Sequence, residues 1–225
     1  MKTLYESILD DEEILIGNVK RNITAESIYK KLINQEILEQ SELNWMNNNV
    51  SILEVDEQQL FDLIPSLDKK YYNISLNWLD VSKITDMSEL FFHSKFNGNI
   101  SEWDVSSVKD MRAMFAHSIF NGNISKWNVS KVENMKNMFA HSIFNGDISK
   151  WNVRKVKDMY GMFANSEFKS DISKWDISNV INMIGMFFNS SFNRNLSKWK
   201  INKKCLTTEM FDNCPIKEEY KPFIE

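Results

Sequence analysis

The 225-residue chain is short of punctuation, with six Gly and three Pro. A collagen-like or disordered composition is thereby excluded, and tight turns must rely on other residues. Two cysteines, Cys205 and Cys214, cannot form a disulfide framework. If the segment between them is helical, they lie about 13 Å apart along its axis, too far for a bridge. With no histidine nearby they also make a poor zinc site. Three histidines, no glycine-rich phosphate loop and no nucleophile elbow leave catalysis without a recognisable centre. No enzyme activity, cofactor, metal or small-molecule substrate is expected. No apolar run approaches the roughly 18 residues a membrane span requires. The opening MKTLYESILDDEE carries Asp10, Asp11, Glu12 and Glu13 where a signal peptide is apolar, so the expected location is the cytoplasm.

Aromatic residues are abundant, and they recur on a fixed period. Trp103, Trp127, Trp151, Trp175 and Trp199 are spaced by 24, as are Phe91, Phe115, Phe139, Phe163, Phe187 and Phe211. FAHSIFNGNISKWNV at 115–129 returns as FAHSIFNGDISKWNV at 139–153. Such a period is the mark of stacked repeats. ISKWNV, with Trp127 and Val129 at period 2, predicts a strand. Val132, Met135, Met138 and Phe139 follow at helical spacing, with Ser130 and Glu133 in the arrangement of a capping box. HSIFNG then closes the unit with residues that tolerate positive φ. The fold class expected is α/β: a right-handed solenoid of about six 24-residue strand–helix–turn units over 73–216, with a parallel sheet. Residues 1–72 are expected to form an acidic helical N-terminal cap or module, and 217–225 a C-terminal tail. TAESIYKKLINQEILEQ places Ile28, Leu32, Ile33 and Ile37 on one face after Thr24, and DEQQLFDLI runs from Asp56 and stops before Pro65.

The unit NISKWNVSKVENMKNMFAHSIFNGD resembles the repeat of the BspA-like, leucine-rich-repeat-related family, also called the domain of unknown function 285. That resemblance implies a solenoid that binds other macromolecules, commonly as a surface adhesin, and supplies no catalytic residue. The start MKTLYESILDDEE is also similar to phage and prophage proteins of Bacteroides-like bacteria, which would place the protein in a bacterial host cell.

Positions that vary between copies can carry recognition. Lys126, Lys150, Lys174 and Lys198 precede successive tryptophans and, stacked, repel one another. With Arg154 and Lys155 they belong to a stretch, 126–204, of 14 Lys or Arg against 6 Asp or Glu. This basic strip either solvates an edge or meets an acidic protein surface; nucleic acid is the alternative partner. Tyr160 and Ile184 form a second candidate contact, as apolar neighbours on the expected helix face. His93, His117 and His141 share one repeat position with Asn165, Asn189 and Asn213, and Asp alternates with Asn elsewhere. Those exchanges suit helix ends and turns, and do not suit ligation or acid–base chemistry. The expected function is therefore a non-enzymatic intracellular protein-binding repeat protein, in its most concrete form a phage product acting on a host defence protein.

Overall fold

The computed structural model describes residues 13–16, 19–67 and 70–223, with side chains from residue 23 onward. The opening on which the resemblance to phage proteins rests lies, apart from Glu13, outside the described residues.

Regular elements are few and lie almost entirely before residue 81. Strands β1 (Glu13–Ile16) and β2 (Val19–Asn22) pair antiparallel. Helix α1 (Ala25–Ile33) begins where Thr24 Oγ1 accepts the Ser27 N–H at 3.1 Å. Its buried face is Ile28 and Leu32. Asn34 ends it and Gln35 has φ +57°, so the helix stops short of Ile37, which is 74% exposed rather than on the apolar face. Helix α2 (Gln40–Asn48) buries Trp45 and Met46. Helix α3 (Glu57–Leu67) starts from Asp56, whose side chain and that of Gln59 cap each other's N–H groups at 2.8 and 2.9 Å. It does not stop before Pro65 but runs through it to Leu67, because a proline this near the end disturbs only the last turn.

Residues 51–57 complete the edge of the first repeat. Strand β3 (Leu53–Glu54) pairs parallel with β4 (Leu79–Asp80). The Glu57 carboxylate accepts the Thr85 and Asp86 N–H groups at 3.1 and 3.2 Å. In the following units the equivalent N–H groups, for instance those of Lys109 and Asp110, donate to the preceding unit's carbonyl, that of Thr85. Glu57 thus stands in for a missing earlier unit.

From residue 81 to 217 the expected strand–helix alternation is replaced by turns laid one unit on the next. The segment expected as helix carries the parallel pairing: single bridges join Asp86, Asp110, Asn134, Asp158, Asn182 and Leu206 in sequence. Its N–H groups alternate between two kinds of acceptor. Those of Met111, Ala113, Phe115 and His117 donate to the carbonyls of Asn134, Lys136, Met138 and Ala140 in the next unit. Those of Met114, Ala116 and Ser118 donate three residues back within their own unit. The pattern repeats through five inter-unit seams at 2.7–3.0 Å. A helix would commit every N–H internally, so helix and seam exclude each other. Left-handed backbone at Ala113, Asn137, Gly161 and Gly185, φ +52 to +59°, further breaks helical geometry. Ser130 accordingly caps no helix; its N–H donates to Asn128 Oδ1 at 3.2 Å. ISKWNV, expected as a strand, is a turn at Ser125–Lys126 followed by irregular chain.

The expected burial pattern holds despite the different local structure. Trp127, Val132, Met135, Met138 and Phe139 are buried, and they share one continuous core with their counterparts 24 residues away. The column from Phe91 to Phe211 stacks at centroid separations of 5.2–5.8 Å with planes within 12° of parallel. Phe96, Phe120, Phe144, Phe168 and Phe192 form a second column at 6.2–6.5 Å. The tryptophans also work as polar anchors: each indole N–H from Trp103 to Trp199 donates to a carbonyl of the preceding unit at 2.8–3.2 Å. Gly98, Gly122 and Gly146 do not serve a positive φ. A Cβ there would sit 2.7–2.8 Å from the ring of Phe96, Phe120 or Phe144, so space is what they provide.

Candidate functional site

The lysines of the expected row sit on exposed turns, each closed by a hydrogen bond that spans two residues. Asn99, Asn123, Asp147, Asp171 and Asn195 each accept the N–H two residues on, from Ser101 to Ser197, at 2.9–3.0 Å. Either side chain can make this bond, which accounts for the Asp/Asn exchange. Each such turn lifts the next residue into solvent, and from the second copy on that residue is Lys126, Lys150, Lys174 or Lys198. Lys126 reaches Glu102 at 3.5 Å. Among the described residues, Lys150, Lys174 and Lys198 have no ion pair within 4 Å. Lys150 and Lys174 line one shallow pocket together with Asp147, Asp171 and Arg194. Both aspartates are held below the usual carboxylate range, by hydrogen bonds from Ser149 and Ser173 and, to a lesser degree, by the lysines.

Arg154 and Lys155 are exposed, but Arg154 is engaged with Asp176 at 3.2 Å. Tyr160 and Ile184 lie elsewhere, in a trench of about 400 Å³ that crosses several units. Small buried residues, including Ala113, Ala116 and Ala140, floor it, and Phe92 and Tyr160, 44% and 39% exposed, stand at its walls. Ile184 is half-buried beside Gly185. The lysines are absent from this lining, so the structure separates the two candidate contacts rather than joining them. The Lys136 ammonium sits 5.0 Å from the Tyr160 ring centroid, a cation–π contact that fixes the phenol in place.

The histidines do form the expected row, and His117 and His141 line the same trench. His93, His117 and His141 stack at 4.3 and 4.2 Å, and Asn165 Nδ2 lies 3.3 Å from His141 Nε2. All six residues of the row, from His93 to Asn213, have φ between +51 and +57°. Left-handed backbone, which His and Asn tolerate better than most residues, explains their exchange without a helix end. Desolvation first, then the neighbouring imidazoles, depress the His117 pKa. No cluster of three or more His, Cys, Asp or Glu suited to a metal occurs among the described residues.

Cys205 and Cys214 are half-buried and unpaired, on turns rather than on a common helix. Cys214 Sγ donates to the Phe192 carbonyl at 3.1 Å. Burial pushes the Cys205 thiol up to about 11. At pH 8 about one part in a thousand is thiolate, so iodoacetamide is expected to alkylate Cys205 about a hundredfold more slowly than a free cysteine. Timed mass spectrometry of the peptide containing Cys205 checks this; alkylation at the free-thiol rate would contradict the burial.

Among the described residues no helix is long and apolar enough to cross a membrane. No curated protein and no solved structure matches the chain. Residues 58–167 and 118–221 match the family described as Mycoplasma protein of unknown function, DUF285. Those two matches span every stacked unit and the helix packed against the first, and the chain belongs to this DUF285 family.

Proposed function

We propose that the stacked units form a right-handed repeat solenoid, capped by the N-terminal region, that acts as a non-catalytic protein-binding module. Its contact is the row Lys126, Lys150, Lys174 and Lys198, and its partner is a protein with an acidic surface. The observation that carries this reading is the set of three exposed lysines, at one repeat position, without an ion pair among the described residues. Stacked like charges oppose folding slightly, so their presence calls for a use outside the fold. Tyr160 and Ile184 in the trench supply an apolar contact of the kind that anchors interfaces. A version in which the protein is a phage product directed at a host protein rests on the similarity of the opening residues alone.

Nucleic acid is the less favoured partner, because stacking on bases requires exposed rings beside the cations. The tryptophans next to these lysines are 4% exposed. Affinity capture from lysate with and without nuclease separates the readings. One protein recovered after nuclease treatment is expected, and recovery only with nucleic acid would sink the proposal. Lys150→Glu with Lys174→Glu is expected to lower capture at least about tenfold through charge reversal, with the thermal transition unchanged. Full capture by that variant would remove the lysine row from the interface.

A further inference from the structure

The two end units share a feature that no inner unit has. At the left-handed position occupied by Ala113, Asn137, Gly161 and Gly185, the first unit has Glu89 and the last has Glu209, with φ +61 and +57°. Glutamate is a poor choice for such backbone, so its appearance at both ends needs a reason. For Glu89 the reason is visible. The N–H groups of Met87, Glu89, Phe91 and His93 donate to the carbonyls of Asp110, Arg112, Met114 and Ala116, and the Arg112 guanidinium pairs with the Glu89 carboxylate.

The last unit of the described residues presents the same row. Among the described residues no acceptor receives the N–H groups of Thr207, Glu209, Phe211 or Asn213. The C-terminal tail covers a different part of this end. Tyr220 O accepts the Leu196 N–H at 2.8 Å, and the Lys221 ammonium lies 5.8 Å from the Phe211 ring centroid. The carboxylates of Glu209 and Asp212 are exposed, and Leu206 is 56% exposed.

We infer that this edge is a docking site for a backbone segment of another polypeptide, one that offers carbonyls on alternate residues and a basic side chain where Arg112 stands opposite Glu89. Main-chain bonds to an open edge give such a contact its affinity, and the carboxylate gives it a charge preference. A second copy of this chain does not fit: its first unit would bring Ser88 and Glu89 to Glu209, with no cation in Arg112's place. That unit's core is moreover already covered, with Met87 and Leu90 buried. The site is separate from the lysine row, so each proposal can fail without the other.

The test uses the full chain and a synthetic peptide of Lys109–Ser118, KDMRAMFAHS, whose sequence occupies the equivalent row on the first unit. Amide shifts are expected at Thr207, Glu209, Phe211 and Asn213 on titration. Reversing the peptide arginine to glutamate should weaken binding about tenfold, since an attraction is lost and a repulsion gained. Glu209→Lys should weaken the original peptide and restore the reversed one; Glu209→Asn, suited to this backbone, checks that the loss is not misfolding. No shifts at these four amides, or equal binding of both peptides, would overturn the inference. Concentration-dependent self-association in sedimentation velocity that Glu209→Asn strengthens, by relieving the repulsion between Glu89 and Glu209, would also overturn it by assigning the edge to a second copy.

Discussion

Phe139→Ala is expected to lower the free energy of unfolding by about 3–5 kcal/mol, against the roughly 5–15 kcal/mol that a domain typically has. Phe139 is fully buried in the middle of the stack. Its ring lies 5.6 Å from Phe115, 5.8 Å from Phe163 and 4.3 Å from Phe144. Removing it leaves a void walled by three other rings, and each ring is held by its own unit's turns and cannot collapse inward. Loss of ring–ring contact adds to the cavity cost. Phe211→Ala provides the internal control. Among the described residues that ring stacks on one other ring, Phe187 at 5.5 Å, and is half-buried with the Lys221 ammonium over it. Its loss is expected to cost about half as much, because part of the ring is wet before the mutation. Urea denaturation of both variants measures the two costs, and equal costs would contradict a column whose stability comes from coverage on both sides.

A deletion gives the second large effect, and its sign depends on length in an unusual way. Removing residues 106–129, one whole period, is expected to leave a cooperatively folding chain. Removing residues 106–117, half as much, is expected to abolish cooperative unfolding. The longer deletion joins Val105 to Ser130 and sets the third unit on the first in register. Lys136 then replaces Arg112 opposite Glu89. Asn134 replaces Asp110 beside Asp86, so the side-chain ladder in which Asn134 Nδ2 donates to Asp110 Oδ2 at 3.0 Å is re-formed with Asp86. The shorter deletion removes the row from Met111 to His117, places phenylalanines against turn residues and leaves the seam bonds at the junction without partners. Stability in a stack of repeats is close to a sum of unit and interface contributions, so a lost period subtracts one increment while a lost half-period removes the interface. Thermal unfolding by circular dichroism distinguishes these outcomes; a half-period variant that melts cooperatively would refute register as the organising constraint.

The expected helix and the observed turns share an apolar spacing, so the letters fit either. Val132, Met135 and Met138 recur every three residues in both, since consecutive turns with bonds three residues back repeat almost as a helical turn does. A signal against the helix was present. Asn137, Gly161 and Gly185 occupy one repeat position at its centre, where glycine costs about 1 kcal/mol relative to alanine. Read together with the His/Asn row four residues on, that position marks two left-handed residues per unit, which no helix accommodates. The open row at Thr207–Asn213 could be found only from the seam bonds, although Glu209 in place of Ala, Asn or Gly is visible in the letters.

What the sequence determined by itself is the period, the family, the set of buried side chains and the freedom of the lysines to vary. These follow from comparing copies, because a side chain that must lie on its own image cannot change alone. Where each backbone N–H goes was decided only by the tertiary structure. Within one unit a helix and a chain of turns satisfy the same apolar pattern, and the choice falls to the neighbouring unit, whose carbonyls accept every second N–H and leave the helix too few to form.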